Sequence, residues 1–405
     1  MARLLMIAYT TYVNDGRVKR HAQALADRGD QIDVICLANP QQGLRDGVNV
    51  IGLRMNHYRG SSRVRYILSY LRFFADATLT ASRLCRQWRY DAAIVCTMPD
   101  AAVLCAIPAR LMGAKVVLDI HDTMPELYRD KFRGVRGRLG ARLLQIEERA
   151  STAMAHRVLA VHDLHRQRLE ETGVRRAKIR VVVNTPDSRI FSRRKIASAA
   201  AHDFTIVCHG TVARRLGLDV AIESMGILRK WIPSVRMLLI GSGDYLPDAK
   251  ALATRLGLDD RVQFLPPVPL EQLPSTLSGA SIGLVPNHAS SATHLMLPVK
   301  LLEYAALGIP VVASRLRTIE HYFGAGAVRL FEPGNPTELA RAIEELYLSS
   351  GRREKLVRAA EAALDRIDWR EQRANFYQAI DSVLKPKSVR DRPDARRTQT
   401  HAQFR

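Results

Sequence analysis

The chain has 405 residues, long enough for two domains with a full core each, and its composition excludes a fibrous, repeat or low-complexity protein. Its net charge of +21 is uneven: residues 1–200 hold 34 Lys and Arg against 18 Asp and Glu, residues 201–384 hold 20 of each, and the stretch from 385 holds seven against two. The basic first half is therefore expected to face something anionic.

The opening MARLLMIAYTTYV has an apolar run too short to span a membrane and no small-residue cleavage site, so it reads as a first buried strand over 4–9. No later stretch reaches the roughly eighteen apolar residues of a membrane helix. Cys36, Cys85, Cys96, Cys105 and Cys208 show no metal-knuckle or redox spacing. Their odd count, with three in apolar strand-like runs, points to a reducing compartment. After the first strand come a polar loop with Gly16, a helix over 18–28 and a strand over 32–37. Residues 64, 67, 68, 71, 74 and 75 are apolar and form one helical face, with Arg63, Arg65 and Arg72 nearby; the spacing favours a helix packed on its own sheet over an interfacial one.

Runs at 92–96, 115–119 and 157–161 read as further buried parallel strands. In DIHDTMPELY, from Asp119, a strand ends at His121 and Asp122, and a helix begins at Pro125 and Glu126. Strand C-termini are where parallel sheets place ligands. Residues 129–142, RDKFRGVRGRLGAR, set six basic residues and one acid among Phe132, Val135 and Leu139, a composition suited to an anionic membrane surface.

A polar stretch over 184–202 separates these elements from a second cycle, with strands at 205–208, 236–240, 261–265, 282–285, 310–313 and 328–330 and a helix at 218–229. Strands alternating with helices over two blocks predict two doubly wound sheets. In HGTVARRLGLD, Gly210 allows close backbone approach, and Arg215 stands just before the helix that Gly217 opens, placed to reach a phosphate bidentately. Arg214 is the alternative bearer, and a solvated arginine is the competing reading. The bare Gly-x-Gly of Gly241 and Gly243 is weak alone, because no third glycine follows.

The most informative segment is THLMLPVKLLEYAALGIPVVAS, from Thr293. It reads as a loop, a helix that Pro298 opens and Gly308 stops, and a β-branched strand. Lys300 and Glu303 share a face of that helix. A cation beside free helix N–H groups suits a phosphate, and a carboxylate one turn on can accept two hydrogen bonds from a vicinal diol such as a ribose. A buried helix with a solvated ion pair is the bland alternative. Helices over 336–349, 352–366 and 369–384 follow, and the charged sequence from 385 is expected to be disordered.

EYAALGIPVVAS, with the HGT-x-x-x-R-x-G-x-D and Pro-x-Lys-x-x-Glu-Tyr motifs, resembles glycosyltransferase family 4, the retaining group 1 enzymes. The resemblance implies an α/β protein of GT-B fold, two Rossmann-like doubly wound domains facing a central cleft. Residues 1–190 would bind the acceptor, 191–202 link the domains and 203–366 bind a nucleotide sugar; 367–384 would cross back to the first domain, followed by a basic tail. It implies catalytic roles for His121, Arg215 and Lys300, and a donor site of Gly210, Gly241, Gly243, Leu297, Pro298 and Glu303. Gly16, Asp122 and Glu126 would meet the sugar or acceptor. The partners implied are a nucleotide-diphosphate sugar and a lipid-diphosphate-linked or glycan acceptor, with an anionic membrane surface and no nucleic acid. The setting implied is bacterial-type exopolysaccharide or cell-envelope glycan synthesis, at the cytoplasmic face of the membrane. No cofactor or metal is expected, since no Asp-x-Asp occurs in the chain.

One departure stands out. The family has a second acid, contacting donor-sugar hydroxyls, eight residues before the ribose-binding one, and here that position is Leu295. An epimerase of the same fold is the runner-up, but it would need a pair of acid–base carboxylates that the sequence does not show. A nucleic-acid-binding protein, suggested by the charge, would need interleaved aromatics or a recognised motif.

Overall fold

A computed structural model describes residues 1–40, 42–58, 62–132, 134–192 and 204–384. The expected linker from 193, Arg133 and the tail from 385 lie outside these residues. The first sheet contains β1 (Arg3–Ala8), β2 (Gln31–Cys36), β3 (Gly43–Arg45), β4 (Val48–Gly52), β5 (Ala92–Cys96), β6 (Lys115–Ile120), β7 (Arg157–Ala160) and β8 (Ile179–Val181). Their order is β3-β4-β2-β1-β5-β6-β7-β8, with only the β3–β4 pair antiparallel. The second contains β9 (Thr205–Thr211), β10 (Arg236–Ser242), β11 (Val262–Leu265), β12 (Ile282–Val285), β13 (Val311–Ser314) and β14 (Arg329–Phe331), in the order β11-β10-β9-β12-β13-β14 and parallel throughout. Among the parallel strands of each sheet the order reverses once, at β1/β5 and at β9/β12. Such switch points open crevices at the strand C-termini, where ligands bind in doubly wound folds.

The central strands are fully buried apolar runs, as helices on both faces require: Ala92–Cys96 and Ile282–Val285 have no exposed residue. The helix Trp369–Asp381 returns to the first sheet, where Phe376, Ala379 and Ile380 share a core with Leu4, Met6 and Val34. The Gln372 side-chain oxygen there accepts a hydrogen bond from Val183 N at 2.9 Å. Among the described residues, no helix is long and apolar enough to cross a membrane.

One expectation fails. The helix Arg63–Gln87 does lie on its sheet, but through Phe73, Ala77, Ala81 and Cys85, all buried. The apolar stripe expected to pack instead faces solvent, with Val64 67%, Ile67 58%, Leu68 54% and Leu71 55% exposed. The small residues at 77 and 81 bring a different side of the helix onto the strands. At ~1.5 Å per residue this helix runs on the order of 37 Å, about twice the length of the strands beneath it at ~3.3 Å per residue. Its first turns therefore project past the sheet.

Candidate functional site

A cavity of about 530 Å³ opens at the C-terminal ends of β9 and β12, at the second sheet's switch point. His209, Gly210, Arg215, Gly241, Asn287, Met296, Pro298, Lys300 and Glu303 are among its lining residues. The backbone explains their convergence. Gly241 has φ +151°, and a Cβ there would lie 1.9 Å from the Gly210 carbonyl oxygen, so the β9 and β10 exits can touch only without a side chain. Gly217 is left-handed at φ 70° and caps the helix Leu218–Trp231; a Cβ on it would meet the Pro286 carbonyl at 1.8 Å. The loop bearing Arg215 is thereby pressed onto the exit of β12, and His288 N donates to Arg215 O at 3.0 Å.

Pro298 keeps an extended backbone and precedes the helix Val299–Leu307, which ends at left-handed Gly308. Lys300 and Arg215 flank this helix start, and among the described residues neither forms an ion pair within 4 Å, although Asp122 of the first domain interacts with Arg215. Lys300 Nζ has only the Cys208 thiol at 3.6 Å. Two cations beside a helix N-terminus suit an anion.

One turn further on, Glu303 is held by a residue that the sequence motifs did not single out. His209 Nε2 lies 2.6 Å from Glu303 Oε2, and its Nδ1 lies 2.9 Å from the Tyr304 hydroxyl, which in turn donates to Val207 O at 3.3 Å. Tyr304 is fully buried, and a Cβ on Gly283 would sit 2.4 Å from its ring. The signal was present in the sequence as the His preceding Gly210 at the strand exit.

Two expected donor residues, Gly243 and Leu297, are not among the residues lining the cavity. Gly243 does not line the cavity; a Cβ there would be 2.1 Å from Val212 O, so it serves loop packing. Leu297 packs on the hydrophobic core beneath the site.

Across the cleft, the helix Gly16–Asp27 starts at the β1 exit. A Cβ on Gly16 would meet nothing nearer than Leu270 Cδ2 at 3.8 Å, so the position faces the second domain but glycine is not required there. His121 is part of a buried network centred on Asp119. Its Nε2 is 3.2 Å from Asp119 Oδ2, while Arg17 grips both Asp119 oxygens at 2.7 and 3.1 Å and also donates to Val182 O. Burial alone would raise the Asp119 carboxyl, but Arg17 and His121 outweigh it and hold it well below the usual range. Burial pushes the neighbouring Asp122 carboxyl up, opposed by His121 and by Arg215 from the other domain.

Glu126 is a correction. It is buried, and its Oε1 accepts from Arg168 Nε at 3.0 Å, while the same guanidinium pairs with Glu148. Its side chain is thus spent on buried ion pairs and does not line the cavity. Its neighbour Asp130 reaches the second domain instead: its carboxylate accepts from Ser291 Oγ at 2.8 Å and from Ala292 N at 2.9 Å. His162 Nε2 donates to Leu295 O at 2.8 Å, and Tyr322 OH donates to Asp163 Oδ2 at 3.0 Å. The loop carrying Leu295 is thus held from the first domain.

Among the described residues, Cys96, Asp119 and His121 place ligand-type atoms within 4.8 Å of one another. Arg17 already occupies both Asp119 oxygens, and burial drives the Cys96 thiol well above its ordinary value. A cation there would lose its carboxylate to a guanidinium and meet a neutral thiol, so the trio does not fit a metal.

Two doubly wound domains with facing crevices, one holding the cavity lined by Arg215, Lys300 and Glu303, define a GT-B architecture. Residues 16–185 match the family described as "Glycosyl transferase 4-like domain" and residues 191–363 match "Glycosyl transferases group 1". The chain belongs to the group 1 glycosyltransferases, family 4. It is 28% identical over 214 residues to the D-inositol 3-phosphate glycosyltransferase of Paenarthrobacter aurescens, covering 51% of each chain. It is 25% identical over 393 residues to the phosphatidyl-myo-inositol mannosyltransferase of Mycobacterium leprae, covering 94% of this chain and 97% of that one. The matches to the D-inositol 3-phosphate glycosyltransferases span about half the length of those relatives. The fold is shared with Anabaena HepE, solved in complex with UDP and glucose, at TM-score 0.71 and 19% identity over 94% of this chain and 100% of that one.

Proposed function

We propose that the protein is a retaining, metal-independent glycosyltransferase that moves a sugar from a nucleoside-diphosphate donor to a lipid-linked or glycan acceptor at the cytoplasmic face of an anionic membrane. The observation that carries this reading is the single cavity joining Arg215, Lys300 and a helix N-terminus to the Glu303–His209 pair. The nucleoside's ribose binds Glu303, and the diphosphate lies against the two cations, which neutralise charge developing on the leaving group in place of a metal. In the transfer, the acceptor oxygen bonds to the anomeric carbon as the bond from that carbon to the phosphate oxygen breaks, and the acceptor proton passes to the leaving oxygen on the same face. His121, steadied by Asp119, orients the acceptor hydroxyl. The named activities of the relatives, inositol-phosphate and phosphatidylinositol glycosyl transfer and colanic acid biosynthesis, support an envelope or lipid-linked acceptor.

The membrane part rests on surface chemistry. The exposed stripe of the Arg63–Gln87 helix is joined by Leu111 at 83% and by Leu139, Leu143 and Ile146 at 59 to 61% exposure. The short helical turn Asp100–Ala106 packs between the helix Arg63–Gln87 and the helix Gly134–Met154 that carries the last three. Apolar surface interleaved with arginines fits a lipid interface, where each basic residue contributes about 1 kcal/mol.

Two measurements test the reading. A thermal-shift screen of nucleotide sugars with EDTA present should show stabilisation; stabilisation by none would refute the donor site. Co-sedimentation with vesicles should require anionic lipid and weaken when Lys131, Arg136 and Arg138 are neutralised. Protein remaining in the supernatant with every vesicle would point to a soluble acceptor.

A further inference from the structure

The donor cavity holds one polar group that the reading above leaves idle. Asn287 follows β12 and Pro286, lines the cavity and is 0% exposed, yet its Oδ1 has no hydrogen-bond partner among the described residues. Among the described residues its Nδ2 has only Met296 Sδ at 4.0 Å, a weak contact. Among the described buried polar side chains lining this cavity it alone carries an unpaired oxygen. A buried carboxamide left this way is costly, and native structures keep such groups where something outside the chain completes them.

The position is also rigid. Pro286 O abuts Gly217, His288 N is bonded to Arg215 O, and the His288 ring lies 2.8 Å from Asp219 Oδ1. Asn287 is thus fixed on the same loops that present the phosphate cation. Meanwhile the loop where the family carries its sugar-contacting acid has its polar groups spent. Leu295 stands at that position with its carbonyl taken by His162, and Thr293 Oγ1 is engaged by His288 O and Ser290. Asn287 lines the same cavity as Glu303, Lys300 and Arg215, on a loop that packs directly against the one bearing Arg215.

We propose that Asn287 binds the transferred sugar, its carboxamide oxygen accepting a hydrogen bond from a sugar hydroxyl and supplying from β12 the recognition that Leu295 cannot. This rests on the nucleotide-sugar reading of the cavity, and the test separates the two. Calorimetry first finds which of UDP-glucose, UDP-galactose, UDP-N-acetylglucosamine and GDP-mannose the wild type binds. The Kd of that donor and of its bare nucleoside diphosphate are then measured for Asn287→Leu and Asn287→Asp. Asn287→Leu should weaken the sugar nucleotide about tenfold while the nucleoside diphosphate stays within about twofold, which also certifies the fold. Asn287→Asp, which keeps an acceptor oxygen, should recover most of the loss. Equal weakening of both ligands, or of neither, would overturn the proposal while leaving the donor site standing. A wild type that binds none of the four sugars would refute the donor reading and this proposal with it.

Discussion

The Glu303–His209 pair makes a quantitative prediction. Glu303 Oε2 is 2.6 Å from His209 Nε2, and His209 is braced from behind by the Tyr304 hydroxyl at 2.9 Å. One carboxylate oxygen is thus spent on orientation, and the group is aimed rather than free to rotate. Substituting Glu303→Gln removes the charge from the hydrogen bonds offered to a ribose diol. Hydrogen bonds to charged groups contribute about 1.5–3 kcal/mol, so the Kd for the nucleoside diphosphate should rise roughly 10- to 150-fold. His209→Asn leaves the carboxylate but loosens it and should cost less, about 0.5–1.5 kcal/mol. Because the histidine acts through the glutamate, the double variant should be little worse than Glu303→Gln alone. The assay is calorimetric titration with UDP and with GDP, using whichever the wild type binds. An unchanged Kd in Glu303→Gln would refute the ribose assignment. Strict additivity in the double variant would show that His209 does not work through Glu303.

Lys300→Ala and Arg215→Ala should each lower kcat by about 10²–10³, since both face charge that develops on the leaving diphosphate. Steady-state assays should show this with EDTA leaving the wild type active; activity abolished by EDTA and restored by Mn²⁺ would refute the metal-free mechanism. Burial pushes the His21 and His162 rings down to about 4. As pH falls through the ordinary 6.5 the unfolded chain takes up protons that the folded form refuses, so stability drops between pH 6.5 and 4 and levels off below. Each ring contributes on the order of 3 kcal/mol across that window. Glu147, pushed up by burial to about 7, has the opposite sign between 7 and 4.5. Urea denaturation at pH 7 and pH 5 should show a shallower fall for His162→Asn than for wild type; an identical fall would mean that His162 titrates normally. Arg168→Met should cost about 3–5 kcal/mol by stranding Glu126 and Glu148, and a denaturation midpoint within error of wild type would show that those carboxyls are already neutral.

The second domain was more legible than the first, for a physical reason. Its strands are near-continuous apolar runs, and its ligand groups sit on short local motifs: Pro298, Lys300, Glu303 and Gly308 fall within eleven residues, and the helix they predict is present over Val299–Leu307. The strands β3, β4 and β8 escaped because β3 and β8 have only three residues and β4 is a short, half-buried strand beside β3, which leaves no run to read. The Arg63–Gln87 helix misled because its Leu-rich stripe outweighs the alanines that bury. Periodicity finds an apolar face, but it does not say whether a sheet, a membrane or another chain covers it.

Across the cleft, function lies in pairs that no local window contains. Arg17 meets Asp119 at a separation of 102 residues and Val182 at 165, and Asp130 meets Ser291 at 161. His121 could be singled out because it follows a strand end, yet what fixes its ring is Asp119, which reads as one more strand residue. Glu126 looked like a cleft residue for the same local reason, at the start of a helix after a strand exit, but Arg168 claims it from 42 residues away. Asp130 was counted only as the single acid in a basic run, and it is the residue that reaches the donor loop. A charge's neighbours in sequence set its local field, whereas its partner is chosen by the topology that folds distant strands side by side. Leu295 shows both limits together: its departure from the family was visible in the sequence, while the pairing of its carbonyl with His162 and the unpaired Asn287 oxygen appear only once the chain is folded.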